Sequence, residues 1–204
     1  MKTDTIIAVF RGGVSPEREV SLGSGTAALE SLQRSFAHVI DCDITDRAIP
    51  DGIEAGTHVV FTTLHGVFGE DGGMQALLEA QGIAYCGCDA ASSRLCFNKT
   101  ETKRLVQAAG VPIARGVHAG REDLDSAPQL FAEFGPYLVV KPNCQGSSVG
   151  LTFVETPEKL AACLAGAGED GCVIEQQIEG REVTVGVLDG LAMGVVEIRP
   201  RSGR

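Results

Sequence analysis

Positive charge is scarce in this sequence. Its 204 residues carry 17 Lys and Arg against 27 Asp and Glu, giving a formal net charge of -10. A general nucleic-acid binder needs a basic face to displace phosphate counterions, so that class is disfavoured. An acidic chain can still hold a nucleotide, because a few backbone N–H groups and one or two lysines suffice. Long apolar runs are missing as well. The amino terminus, MKTDTIIAVFRGG, reaches Arg11 after only five or six apolar residues, too short for a signal-peptide core, and nothing approaches a membrane span. The seven cysteines are odd in number and irregular in spacing, which fits reduced thiols in the cytosol better than a disulfide framework. Cys86 and Cys88 flank one glycine, but with no second pair and no nearby histidine they do not read as a zinc site. Gly12-Gly13 is not part of a GxGxxG fingerprint, and no glycine loop ends in the Gly-Lys-Ser/Thr of a Walker motif. There is no internal repeat.

What is present is a packed globular composition, 44% hydrophobic and 22% charged, with glycine in excess at 26 residues. Short β-branched runs at 5–10, 38–42 and 58–63 predict strands. Between the first two, Leu22, Leu29, Leu32 and Phe36 give one apolar helical stripe, with Ser21 or a neighbour starting the helix. A second amphipathic stretch, GGMQALLEAQG, follows the third strand. Alternating strands and helices imply βαβ units, a parallel sheet and ligands at the strand carboxyl ends. Near residue 98 the character changes. Asn98 is placed to cap a helix over NKTETKRLVQAAG, with Glu101 completing a capping box and Gly110 ending it. A strand near 113–118, a helix near 127–134, the strand YLVVKP, a Gly/Ser loop, LTFV and a helix opened by Thr156 and Pro157 follow. The chain then reads CVIEQQI, REVTVGVL and LAMGVVEI, with Asp189-Gly190 as a hairpin turn. These readings divide the chain into an α/β lobe over 1–96 and an α+β lobe over 97–204.

Four segments carry chemistry. NCQGSSVG, residues 143–150, offers backbone N–H groups and hydroxyls to an anion, and Lys141 on the strand before it could neutralise a triphosphate. HGVFGEDGGMQA, residues 65–76, puts His65 at a strand end as a functional candidate, while Glu70 and Asp71 read as helix-start carboxylates favoured by the macrodipole. In RGGVSPEREVSLGSG the triplet Glu17, Arg18 and Glu19 lies at a strand carboxyl end, which weighs against a purely solvated charge run. In VIEQQIEGREVTV, Glu175 and Glu182 suit ribose hydroxyls or, equally, a solvated edge strand.

Taken together and in order from Val9 to about Gly203, these segments resemble the D-alanine–D-alanine ligase family of the ATP-grasp superfamily. The resemblance is carried by GGVSPEREVSLGSG, HGVFGEDGGMQA, IAYCGCDAASSRLCFNKTETK, VKPNCQGSSVG, IEQQIEGREVTV and VVEIRP. It implies an α/β fold class, with an amino-terminal parallel-sheet (pre-ATP-grasp) lobe followed by an incomplete α+β ATP-grasp lobe. It implies ATP-dependent joining of two D-alanines through an acylphosphate for peptidoglycan synthesis, in a cytoplasmic homodimer that binds neither nucleic acid nor membrane. Glu17 is then expected to anchor the ammonium of the first D-alanine, with Val20 and Ser21 lining its pocket and His65 beside its carboxylate. Lys99, Lys141, Ser147 and Ser148 are expected at the ATP phosphates, and Ser147 with Glu17 in the catalytic array. Glu175, Glu182 and the Gln176–Ile178 backbone are expected at the nucleotide. Cys88 stands where the family usually has Ser, and Gln177 where a bulky apolar residue often covers the adenine. The Mg2+ or Mn2+ of the family has its ligands in a segment after the last residue here, as do the lid loop and the transition-state arginine. The chain therefore reads as a carboxyl-terminally truncated ligase, inactive alone. The alternatives are a non-catalytic nucleotide- or D-amino-acid-binding remnant, and a D-alanine–D-lactate or D-alanine–D-serine ligase.

Overall fold

A computed structural model describes residues 5–199. The end of the VVEIRP motif, at Pro200, and the residues after it lie outside that range. In the first half, β1 (Ile6–Gly12), β2 (Val39–Ile44), β3 (His58–Thr62) and β4 (Ala84–Tyr85) form a parallel sheet in the order β2-β1-β3-β4. The central strand β1 is buried along most of its length, as strands covered on both faces are. Ala8, Phe10, Val60, Met74 and Leu78 anchor the core of this lobe.

The helix α1 (Arg18–Gln33) follows β1, beginning three residues before Ser21 with Glu17 at its N-cap. Its fully buried positions are Ser21 and Gly25, whereas Leu22, Leu29, Leu32 and Phe36 are only half-buried. Small residues let the helix lie close to β1: a Cβ on Gly25 would stand 2.4 Å from Arg11 Cβ. The stripe therefore exists, but the tight contact is made beside it. The helices α2 (Gly73–Ala80), α3 (Ala90–Phe97) and α4 (Lys99–Ala108) come next. Asn98 caps α4 by accepting from the Glu101 N–H at 3.0 Å, while the Glu101 carboxylate turns to Arg104 instead of completing the box.

The second half holds an antiparallel sheet in the order β5-β8-β6-β7, from β5 (Gly116–Ala119), β6 (Leu138–Pro142), β7 (Thr152–Val154) and β8 (Cys172–Gln176). The helices α5 (Ala127–Phe134) and α6 (Pro157–Ala165) share its core with Leu138, Val154, Leu160, Leu164 and Ile174. Thr156 caps α6 through the Lys159 N–H, with Pro157 in the first turn. Finally β9 (Glu182–Leu188) and β10 (Leu191–Ile198) make an isolated antiparallel ribbon. Asp189 and Gly190 both have positive φ, the geometry of the two-residue turn their sequence predicts. No helix of the described residues is long and apolar enough to cross a membrane.

Candidate functional site

The carboxyl end of β1 delivers Glu17 to a buried position, 6% exposed, and its Oε1 has no hydrogen-bond partner among the described residues. The loop holding it is tied down by Ser15, whose hydroxyl donates to the His65 carbonyl at 2.7 Å and accepts from the Glu17 N–H at 3.2 Å. His65, at the end of β3, likewise has a buried Nε2 without a partner. Its Nδ1 faces Glu70 Oε1 at 3.8 Å, and the other Glu70 oxygen accepts from the Gly66 N–H at 2.6 Å. Glu70 is thus turned back toward the His65 loop and does not cap α2, whose N-cap is Gly72, while Asp71 accepts from the Gly73 N–H. Gly66 is required here, since its φ is +68° and a Cβ would come within 2.6 Å of Glu17 Oε2. A buried carboxylate with a free oxygen is costly until a cation meets it, so this corner is suited to an ammonium.

Two neighbours on α1 were expected beside the first substrate. Ser21 is fully buried, its hydroxyl accepting from the Gly12 N–H at 2.9 Å and donating to the Thr63 carbonyl at 2.8 Å. Those two bonds hold α1 to β1 and to the residue that follows β3. Val20 points outward and is exposed.

The glycine–serine loop between β6 and β7 comes to the same corner. A Cβ on Gly146 would lie 3.5 Å from a carboxylate oxygen of both Glu17 and Glu70. Asn143, which the sequence reading did not single out, fastens the base of this loop. It is buried, accepts from the N–H and hydroxyl of Thr100, and donates to the Asn98 side chain. Lys99, the first residue of α4, donates from Nζ to the Gln145 carbonyl. Burial, reinforced by the nearby Lys141 charge, lowers the Lys99 ammonium below its ordinary pKa. Ser147 and Ser148 are exposed at the loop tip, with φ of +47° and +59°. Two successive L-residues in the left-handed region cost roughly 1–2 kcal/mol each, so the loop is held in a shape the chain does not prefer by itself.

Glu175 lies on β8, which is flanked by strands on both sides, so the edge-strand reading does not hold. One of its oxygens pairs with Lys141 Nζ at 2.5 Å and the other with Lys103. Burial alone pushes the Glu175 carboxyl up, but the hydrogen bonds and charges of the two lysines outweigh it and hold the group below the usual range. Both oxygens being engaged, Glu175 acts here as the counterion of the lysines and not as a free ribose acceptor. Lys103 was not legible as a site residue; its i, i+4 spacing from Lys99 was the available signal.

A cavity of about 590 Å3 opens beside this array, with Val139, Phe153, Ile178 and Glu182 among its walls. Gln177 lines it as well. The Gln176 and Gln177 N–H groups are already given to the Arg115 and Tyr137 carbonyls. Of the three residues expected to read a base edge, Ile178 alone keeps an N–H unused by other backbone among the described residues.

A parallel α/β lobe, followed by an antiparallel sheet whose lysine-flanked glycine–serine loop faces it, defines an ATP-grasp protein. A family profile described as D-ala D-ala ligase C-terminus matches residues 105–203. The chain is 42% identical over 201 residues to a D-alanine–D-alanine ligase of Geobacter sulfurreducens, covering 96% of this chain and 62% of that one. Among solved structures it is similar to D-alanyl-alanine synthetase A of Vibrio cholerae, with a TM-score of 0.84 and 27% identity, covering 98% of this chain and 69% of that one. A Bacillus anthracis D-alanine–D-alanine ligase complexed with ATP matches with a TM-score of 0.80 and 28% identity, covering 95% and 66%. The chain belongs to the D-alanine–D-alanine ligase family. It spans about three fifths of the length of the Geobacter relative.

Proposed function

We propose that this chain supplies the first-substrate and nucleotide-binding parts of an ATP-dependent ligase that joins two D-alanines for peptidoglycan. In the reaction proposed, the first carboxylate attacks the γ-phosphoryl group of ATP, and the amine of the second D-alanine then displaces phosphate from the acylphosphate. A carboxylate is a poor acyl donor, so phosphorylation supplies the leaving group, and the protein's part is mainly positioning and charge stabilisation. The observation that carries the reading is the meeting of Gly146 of the anion loop with Glu17 and Glu70 of the parallel-sheet lobe. Glu17 Oε1 is left to receive the D-alanine ammonium, and His65 Nε2 to meet its carboxylate. Lys99 and Lys141 then hold phosphates, Ser147 and Ser148 cover them, and the cavity by Ile178 and Glu182 takes the base and ribose.

The metal of the family does not fit the residues described. Among them no group of three His, Cys, Asp or Glu is arranged to hold an ion. Magnesium, a cytoplasmic location and a homodimer are part of the proposal for the full-length ligase and rest on the family resemblance alone.

Calorimetry of the 204-residue chain with ATP and with D-alanine tests the reading. Lys141→Met is expected to weaken ATP by roughly ten- to a hundredfold, in the range of a charge-assisted contact. Glu17→Gln is expected to remove D-alanine binding and leave ATP in place. Unchanged ATP affinity in the Lys141 variant refutes the phosphate assignment, and D-alanine binding unaffected by Glu17→Gln refutes the ammonium assignment.

A further inference from the structure

The antiparallel register explains how one carboxylate comes to serve two lysines. Glu175 pairs across the sheet with Val139 and Lys141 with Val173, so Lys141 and Glu175 are diagonal neighbours on one face. On its other side Glu175 is opposite Gly116, which has no side chain to compete for it. A Cβ there would come within 3.0 Å of Glu175 Cγ and 2.2 Å of the Ile174 carbonyl. Lys103 enters over that glycine from α4, with its Nζ donating also to the Ala114 carbonyl at 2.8 Å. The Lys103 and Glu175 side chains are 19% and 9% exposed, and Lys141 is the more open at 29%. One carboxylate thus faces two ammoniums, and the more exposed of them is the one beside the anion loop.

We propose that Lys103 is a positioning residue for the anion site, holding Glu175 so that Lys141 is left free to leave it for a phosphate. The proposal rests on the nucleotide reading above and goes beyond it, since Lys103 touches no phosphate. With Lys103 present, Glu175 keeps a permanent partner on α4, and transfer of Lys141 to a polyanion leaves no buried charge unpaired. Without it, Lys141 becomes the sole counterion of a buried carboxylate and any phosphate must compete with that carboxylate for it. Lys103 thereby acts on phosphate groups only, and on adenosine not at all.

The test measures inorganic tripolyphosphate, ATP and adenosine binding to the 204-residue chain, with circular dichroism to check folding of each variant. Lys103→Met is expected to weaken tripolyphosphate and ATP by about tenfold, with adenosine unchanged, and Lys103→Arg to restore both. In a Lys141→Met background, Lys103→Met is expected to cause no further loss. Equal losses for ATP and adenosine mark a purely structural lysine and overturn the proposal. So do unchanged tripolyphosphate affinity in Lys103→Met and additive losses with Lys141→Met. A wild-type chain that binds adenosine but not tripolyphosphate also overturns it while leaving the base pocket standing; binding of neither removes the nucleotide reading as well.

Discussion

Replacing Ser21 by alanine separates a supporting role from a substrate-lining one. The hydroxyl is fully buried and makes two bonds to main chain, accepting from Gly12 and donating to Thr63. Ala removes one oxygen and leaves the buried Gly12 N–H and the part-buried Thr63 carbonyl without that partner. A buried orphan costs about 1–3 kcal/mol and a part-buried one less, so the expected loss is about 2–4 kcal/mol. At a urea slope of roughly 2 kcal/mol/M, the unfolding midpoint falls by about 1–2 M. Ser24, one turn away and exposed, bonds only the Val20 carbonyl of its own helix. Ser24→Ala is the control, expected within about 0.5 kcal/mol of wild type. Urea titrations followed by circular dichroism give both numbers. A Ser21→Ala chain as stable as the Ser24→Ala control, yet deficient in D-alanine binding, would refute the reasoning and return Ser21 to the pocket wall.

Two glycines of α1 are expected to respond with opposite signs. Gly25→Ala drives a Cβ into Arg11 and Thr63 Oγ1, at 2.4 and 2.9 Å, and is expected to destabilise by about 1–3 kcal/mol despite the better helix former. Gly23→Ala meets nothing within 4 Å and is expected to stabilise by up to about 1 kcal/mol, so thermal melts of the pair decide whether close approach governs this helix. For Lys99, burial and then Lys141 depress the ammonium below its ordinary 10.5. The protonated form is therefore penalised in the folded chain, a cost present below the folded pKa and relieved as pH rises through it. Tripolyphosphate affinity should accordingly fall at a pH lower than an unperturbed lysine allows, and Lys99→Arg should abolish that inflection. Superimposable pH profiles would remove Lys99 from the anion site.

Much of the architecture was legible because it is written in local signals. Period-two runs marked the strands, Asn98 and Thr156 marked helix starts, and Asp189-Gly190 marked the hairpin. The helix α3, in AASSRLCF, lacks an apolar stripe, burying Ala90 and Ser93 instead, and Asp89, which accepts from the Ser92 N–H, was the available signal. Glu17 and His65 could be singled out in the sequence because each lies in the segment that follows a strand, and the fold brings both to one corner. The chemistry was obscured where it depends on partners far away in sequence. Glu70 looks like a helix-start carboxylate until the chain folds it back onto Gly66, and nothing local to Ser21 announces its bond to the Thr63 carbonyl. Lys103 and Glu175 are 72 positions apart, and neither periodicity nor capping anticipates their pairing. The resemblance pointed to the loop proposed to hold phosphate; the sheet register shows which carboxylate pairs with the lysine beside it.

The ribbon of β9 and β10 has a consequence for the molecule in bulk. Val183, Val185 and Val187 alternate along β9, a pattern suited to resting on another layer, yet all three are exposed, as are Leu191, Met193 and Val195 on β10. A two-stranded ribbon also has an unsatisfied row of amides along each outer edge. Mutual repulsion from the net charge of -10 keeps copies apart in dilute buffer, and added salt screens that repulsion without weakening the attraction between valines. Added salt is therefore expected to draw copies of this chain together through the ribbon, a rise that light scattering against ionic strength would read.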